Sequence, residues 1–249
     1  MLIARTNKAE VIRHSDSEVV KRYFTENAPA RAEQDRLSLQ SINRLFGCVH
    51  RDGWQYRIVQ LLWFDIQQGV VCMELVPGSV LAELPKDQLS AAEFHAGAWL
   101  ALYHNKMLSD KPDGLIYTDF TIHNLLVSLE QKTVVAIDPG MAWQHITGCG
   151  YEDVIKHIHS ALVGLIVKKA VSPAILGSFL SGYESALSKP RSMKFYYRGL
   201  RREMWRLLCD YRNKSLFKCL VFIMSLMALL PLYMVCLPGY LLVIRRTAR

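Results

Sequence analysis

Three polar residues are spaced as a reaction centre requires: Asp119, Asn124 and Asp138, in the stretch LIYTDFTIHNLLVSLEQKTVVAIDPG over 115–140. Asp119 and Asn124 lie five apart in a segment bounded by apolar residues, and Asp138 opens a turn after the apolar run TVVAI. Phosphoryl transfer uses such parts. One carboxylate accepts or orients the proton of an acceptor hydroxyl, while an amide oxygen and a second carboxylate hold a divalent cation against nucleotide phosphates. Acidic residues at the mouths of strands, where loops converge, can do this without a covalent intermediate.

Elements on both sides must position these groups. Residues 18–24 (EVVKRYF) are β-branched and aromatic and read as a strand with Lys21 at its middle; residues 54–64 (WQYRIVQLLWF) read as one or two strands. Between them, 30–46 reads as a helix with Leu37, Ile42, Leu45 and Phe46 as its apolar side, Pro29 near its first turn and Gly47 as its stop. A further strand over 70–76 is closed by Pro77-Gly78. Beyond it the pattern is mostly helical: a long helix over 88–108, a loop over 115–127 entering a short strand, a buried strand over 133–137, then helices over 151–169 and 172–187. The expected architecture is α+β and two-lobed, with a small β-rich lobe over 1–75, a larger helical lobe over 76–188 and a cleft between them.

Charge separates this body from the C-terminal part of the chain. The chain of 249 residues holds 30 Lys+Arg against 22 Asp+Glu, a formal net charge of +8. Residues 189–249 carry 13 basic and 2 acidic residues, net +11, and residues 1–188 carry 17 and 20, net −3. Residues 219–244 hold no formal charge for 26 positions, about 39 Å as one helix against a hydrocarbon core of about 30 Å. We therefore read 219–249 as a hydrophobic, membrane-associated tail. Pro231 and Pro238-Gly239 suit either a kinked span or a shallow hairpin, and basic residues on both flanks favour the hairpin. The preceding basic segment, 189–218, is amphipathic. Tyr197, Leu200, Met204, Leu207, Leu208 and Tyr211 share a helical face, with Arg198, Arg201, Arg202 and Arg206 mostly off it, as on anionic lipid. Because this basicity adjoins apolar sequence, nucleic acid is not the expected partner.

The six cysteines form no CxxC and pair with no histidine at zinc-ligand spacing, and the first 18 residues show no apolar signal region, so a reduced, cytosol-facing body is expected. His157 and His159, two apart on a predicted helix, face different ways and make poor zinc ligands. His95, His104 and His123 read as structural.

Tyr117-Thr118-Asp119-x4-Asn124, followed fourteen residues later by Asp138-Pro139-Gly140, resembles the catalytic loop and metal-binding turn of the protein-kinase-like fold. Other landmarks fall in order over residues 5–187. The resemblance implies that Lys21 binds nucleotide phosphates and that Glu33, twelve residues on, is its ion-pair partner. Asp35 is a rival two residues further on, turned by the helix to another face. It also implies that 73–78 (MELVPG) is the interlobe hinge, where the backbone of Glu74 and Val76 meets adenine, and that residues 99–104 end the helix before the loop. Asp153 matches an acidic residue of the following helix. In the implied site Asn124 and Asp138 hold Mg²⁺, ATP is the donor, and Asp119 orients the acceptor hydroxyl. The match is nearest to small kinases of the lipopolysaccharide core sugar kinase and aminoglycoside phosphotransferase type. For the former, this implies a lipid-linked sugar acceptor and work at the cytoplasmic face of the inner membrane, which the basic tail suits.

The chain departs from that pattern at four places. Tyr117 stands for the loop histidine, Thr118 for its neighbour and Pro139 for the phenylalanine of the metal-binding turn, and no glycine occurs between Met1 and Phe24 to make a flexible phosphate lid. These departures leave a second reading open: a membrane-attached pseudokinase or scaffold without transfer activity.

Overall fold

The computed structural model describes residues 1–6, 8–107, 117, 119–139, 151–167, 173–192, 194–198 and 201. Strands β1 (Leu2–Arg5), β2 (Ala9–Arg13) and β3 (Glu18–Tyr23) lead into helix α1 (Ala28–Phe46), and β4 (Cys48–Arg51), β5 (Trp54–Ile58), β6 (Leu61–Asp65) and β7 (Val70–Glu74) follow. A short β8 (Ser79–Val80) precedes α2 (Lys86–Met107), β9 (Leu125–Ser128), β10 (Thr133–Ala136), α3 (Tyr151–Val167) and α4 (Pro173–Ala186). The expected α+β order is present. The tail over 219–249 and most of the basic segment lie outside the described residues, among which no helix is long and apolar enough to cross a membrane.

The first sheet runs β1-β2-β3-β7-β6, antiparallel throughout, so the middle strand carrying Lys21 is hydrogen-bonded on both sides. Helix α1 packs on it through a stripe that shares Ile42 and Phe46 with the expected one but not Leu37 and Leu45. Its buried positions are Ala32, Asp35, Ser38, Leu39, Ile42 and Phe46, whereas Leu45 is 45% exposed and Leu37 only partly covered. Spacing of three and four from Phe46 back through Ile42, Leu39, Asp35 and Ala32 defines that face. It passes through a carboxylate, which a search for apolar residues skips.

The second sheet runs β4-β5-β10-β9-β8, with β5 parallel to β10. Its strands come from both sides of the boundary at residue 75, so the division of the sequence into lobes does not divide this sheet. The run over 54–64 is two strands in two different sheets. Asp52 and Gly53, with φ of 52° and 76°, close the β4–β5 hairpin. The chain then changes sheets at one peptide: the Val59 N–H donates to Ala136 O, while Gln60 O accepts from the Glu74 N–H.

Below this sheet, α2 and α4 pack with almost no separation. A Cβ on Gly97 would sit 2.0 Å from the Phe179 carbonyl oxygen, and one on Gly182 would sit 1.8 Å from that of Phe94. Reciprocal glycines thus set the interaxial distance. Across the core, Phe46, Trp99, Tyr103, Tyr117 and Phe120 form a continuous aromatic cluster with ring centroids 5.0–5.7 Å apart, all fully buried. Because Tyr117 and Phe120 belong to it, the cluster anchors the polypeptide on both sides of Asp119.

Candidate active site

Lys21 reaches the cleft from the centre of β3, opposite Val11 of β2 and Val71 of β7. Its Nζ lies 2.9 Å from Asp35 Oδ2 and 3.0 Å from Asp138 Oδ2, with the lysine side chain 15% exposed. The Tyr23 hydroxyl donates to the same Asp35 oxygen at 2.6 Å. Burial opposes the lysine charge, but Asp138 and Asp35 outweigh it and hold the ammonium above its ordinary range. Burial raises the Asp35 carboxyl, Lys21 pulls it back and Asp138 pushes it up again. Tyr23 is likewise raised, mainly by burial, so it remains a neutral donor.

The expected Lys21–Glu33 pair is therefore corrected: Asp35 is the partner. Glu33 instead forms a two-pronged pair with Arg36, at 2.5 and 2.6 Å, and that bonding lowers its carboxyl. Two residues turn a helix by about 200°, and it is position 35 that falls on the buried stripe facing β3. The signal was available in the 35–39–42–46 spacing.

On the other side of the cleft, Asn124 Nδ2 donates both to the backbone carbonyl of Asp119, at 3.0 Å, and to its Oδ2, at 2.9 Å. The other carboxylate oxygen of Asp119 pairs with Lys156 Nζ of α3 at 2.6 Å. Lys156 was not expected from the sequence, because a contact across 37 positions leaves no mark in local spacing. The Asn124 carbonyl accepts from the Ile137 N–H at 3.0 Å, which fixes the loop to the strand end bearing Asp138.

Tyr117 occupies the expected histidine position and is fully buried, its ring edge-on to Trp99 and Phe120. Its backbone N–H donates to Asp153 Oδ2 at 2.9 Å. Asp153, itself fully buried, is also 3.1 Å from His104 Nε2, whose Nδ1 meets the Tyr183 hydroxyl at 2.8 Å. Burial lowers the His104 pKa against the pull of Asp153. The tyrosine thus keeps the loop attached to α3 through its main chain, with the ring as packing.

At the hinge the Glu74 side chain is occupied: it pairs with Arg57 and accepts from the Gln60 N–H at 2.7 Å. The Glu74 N–H is taken as well, donating to Gln60 O. The adjoining Leu75 N–H donates to Ser17 O at 2.7 Å, and Val76 is buried.

Lys21, Tyr23, Asp35, Asp119 and Asp138 share one cleft of about 500 Å³, whose outer wall includes Thr6, Lys8 and Arg31. Among the described residues no group of three or more His, Cys, Asp or Glu is placed to hold a metal by itself. The donor set nevertheless fits Mg²⁺, which takes one or two protein ligands and completes its shell with water and substrate phosphate. Asp138 is 34% exposed, and Asn124 spends Nδ2 on Asp119 while retaining its amide oxygen. A cation bound there would add to Lys21 in offsetting the carboxylates that face it.

No family model matches the chain, and no curated protein matches it. Solved structures do match. The ternary complex of streptomycin, ATP and APH(2")-IIa is 10% identical, covering 92% of this chain and 90% of that one, with a TM-score of 0.55. The ADP-bound aminoglycoside phosphotransferase APH(2'')-Ib is 10% identical over 90% of each chain, with a TM-score of 0.54. An aminoglycoside phosphotransferase APH(3'')-Id from Streptomyces rimosus is 14% identical, covering 82% of this chain and 91% of its own, with a TM-score of 0.53. The chain has the protein-kinase-like fold of the aminoglycoside phosphotransferases.

Proposed function

We propose that this protein is an ATP- and Mg²⁺-dependent phosphotransferase acting on a hydroxyl. The carrying observation is that Asp35 and Asp138 each lie within 3.0 Å of Lys21 Nζ, in one cleft with Asp119, to which Asn124 is hydrogen-bonded. The fold shared with ATP- and ADP-bound aminoglycoside phosphotransferases supports the same reading. Lys21, kept charged by its two carboxylates, binds the phosphates, and Asp35 with Tyr23 holds it in place. Asn124 and Asp138 are the residues that hold Mg²⁺. The bound cation supplies neutralisation of charge on the transferring group. Asp119 orients the acceptor hydroxyl and takes its proton as that oxygen bonds to the γ-phosphorus of ATP and the bridging bond breaks to release ADP. Lys156 pairs with that carboxylate, and Asn124 fixes its rotamer.

The acceptor we propose is a sugar of the lipopolysaccharide core, reached at the cytoplasmic face of the inner membrane. The basic segment over 189–218 and the uncharged run over 219–244 support a lipid-linked acceptor and anionic lipid as partner. The test is mass spectrometry of envelope glycolipids from cells making the native protein, its Asp119→Asn variant or neither. Only the native protein should add one phosphate group; identical glycolipids in all three would remove the acceptor assignment.

A further inference from the structure

The outer wall of the nucleotide cleft is built by the β1–β2 hairpin, whose turn contains no glycine. Thr6 takes over the task. Its N–H donates to Ala9 O at 2.8 Å and its hydroxyl donates to the same oxygen at 3.1 Å. That hydroxyl also accepts the N–H groups of Lys8, at 3.2 Å, and Ala9, at 3.1 Å. This bonding limits how the wall can bind phosphate. A glycine-rich lid offers free main-chain N–H groups to a phosphate, whereas here the Lys8 and Ala9 amides are already spent on Thr6. The Lys8 carbonyl accepts from the Phe24 N–H at 3.2 Å, which ties the turn down to the end of β3. Among the described residues of this turn, Lys8 and Ala9 therefore leave their side chains, not their amides, to meet phosphate charge.

Two cations are there. Lys8 lines the cleft from the turn, and Arg31 lines it from the start of α1. Arg31 is a poor choice for the helix alone, because a positive charge near an N-terminus opposes the macrodipole and the first turn holds no acidic residue to offset it. Its Nε is buried and makes no hydrogen bond, a donor left unspent beside a cavity also lined by Lys21 and Asp138. A residue that costs its own helix and leaves a donor unsatisfied is the kind of local inconsistency that a binding site explains.

We infer that Lys8 and Arg31 form a side-chain clamp on the nucleotide's outer phosphates, replacing the main-chain amide cradle of a glycine-rich lid. The clamp rests on the reading of this cleft as a nucleotide site and deepens it. It acts on phosphate and not on the base, so its contribution grows with the number of phosphates. It is also electrostatic, so it weakens with salt.

Calorimetric titration of the full chain with Mg·ATP and with adenosine tests this. Lys8→Gln and Arg31→Gln should each weaken Mg·ATP binding several-fold, and the double variant at least tenfold, with adenosine affinity unchanged. Lys8→Arg should restore it. Lys8 is exposed in a surface turn, so its variant reports on binding even where Arg31→Gln perturbs α1. Native protein that binds Mg·ATP beside a Lys8→Gln variant that binds it equally well overturns the clamp and leaves the nucleotide reading standing. Native protein that binds neither ligand overturns both.

Discussion

At the residue scale, the centre of the site is one ammonium between two carboxylates, and its parts differ in what they tolerate. Asp35→Asn keeps the shape and removes the charge from a buried partner of Lys21. We expect Mg·ATP affinity to fall roughly tenfold or more, about 1.4 kcal/mol. Glu33→Gln touches only the Arg36 pair on the surface of α1 and should leave affinity unchanged. A calorimetric comparison of the two variants separates the two assignments, and the opposite ranking would restore Glu33. Asp119→Asn should lower the transfer rate on the order of 10²–10⁴-fold while nucleotide still binds, as loss of a proton-accepting carboxylate does. Asp119, Asn124, Asp138 and Lys21 were legible in the sequence because their order and spacing survive as a motif. Asp35 was missed because counting from Lys21 gave Glu33, while the helix stripe through Leu39 and Ile42 leads to position 35. Lys156 could not be read, since only the folded chain brings α3 to the loop.

At the element scale, the long helices and the strands flanking the motif were legible from periodicity, and the sheet pairing was not. The run over 54–64 holds no Gly, Pro, Asn, Asp or Ser, so no turn residue in it marks Val59–Gln60 as a change of sheet. Strands β1, β2, β4 and β8 were missed because each is short and most face solvent on at least one side. The packing of the helices is open to a direct test. Gly97→Ala places a methyl carbon against the Phe179 carbonyl and forces α2 from α4. It should cost about 1–3 kcal/mol or more, lowering Tm by several degrees in thermal unfolding; an unchanged Tm would mean that the helices are not locked by these glycines. The joint between α2 and β5 is made by His95, stacked on Trp54 at 3.5 Å with Nδ1 2.9 Å from the Tyr56 hydroxyl. Burial lowers its pKa from 6.5 to about 4, with Asp52 pulling weakly the other way. The folded state therefore prefers neutral histidine. This contribution to stability is present above pH 6.5 and is lost as pH falls toward 4, because the unfolded chain takes up the proton first. Denaturant unfolding between pH 7 and 4 should show that loss, and His95→Gln should flatten it.

At the scale of the whole molecule, a formal charge of +8 conceals a mildly acidic body and a strongly basic tail. The body is the kinase-like unit, in which the second sheet joins strands from both sides of residue 75 and receives the loop bearing Asp119 and Asn124 at β9. We propose that the tail sets where that unit works. Full-length protein should remain with membranes through a carbonate wash, and a chain ending at Lys214 should be released; recovery of the full chain as a soluble monomer would remove the membrane assignment. The central claim lies in the body and is independent of the tail. Its most direct test is calorimetric titration of the full chain with Mg·ATP, alongside its Lys21→Met variant. Saturable, Mg²⁺-dependent binding by the native protein that disappears in the variant is the predicted result. No binding by the native protein, or equal binding by the variant, would contradict it.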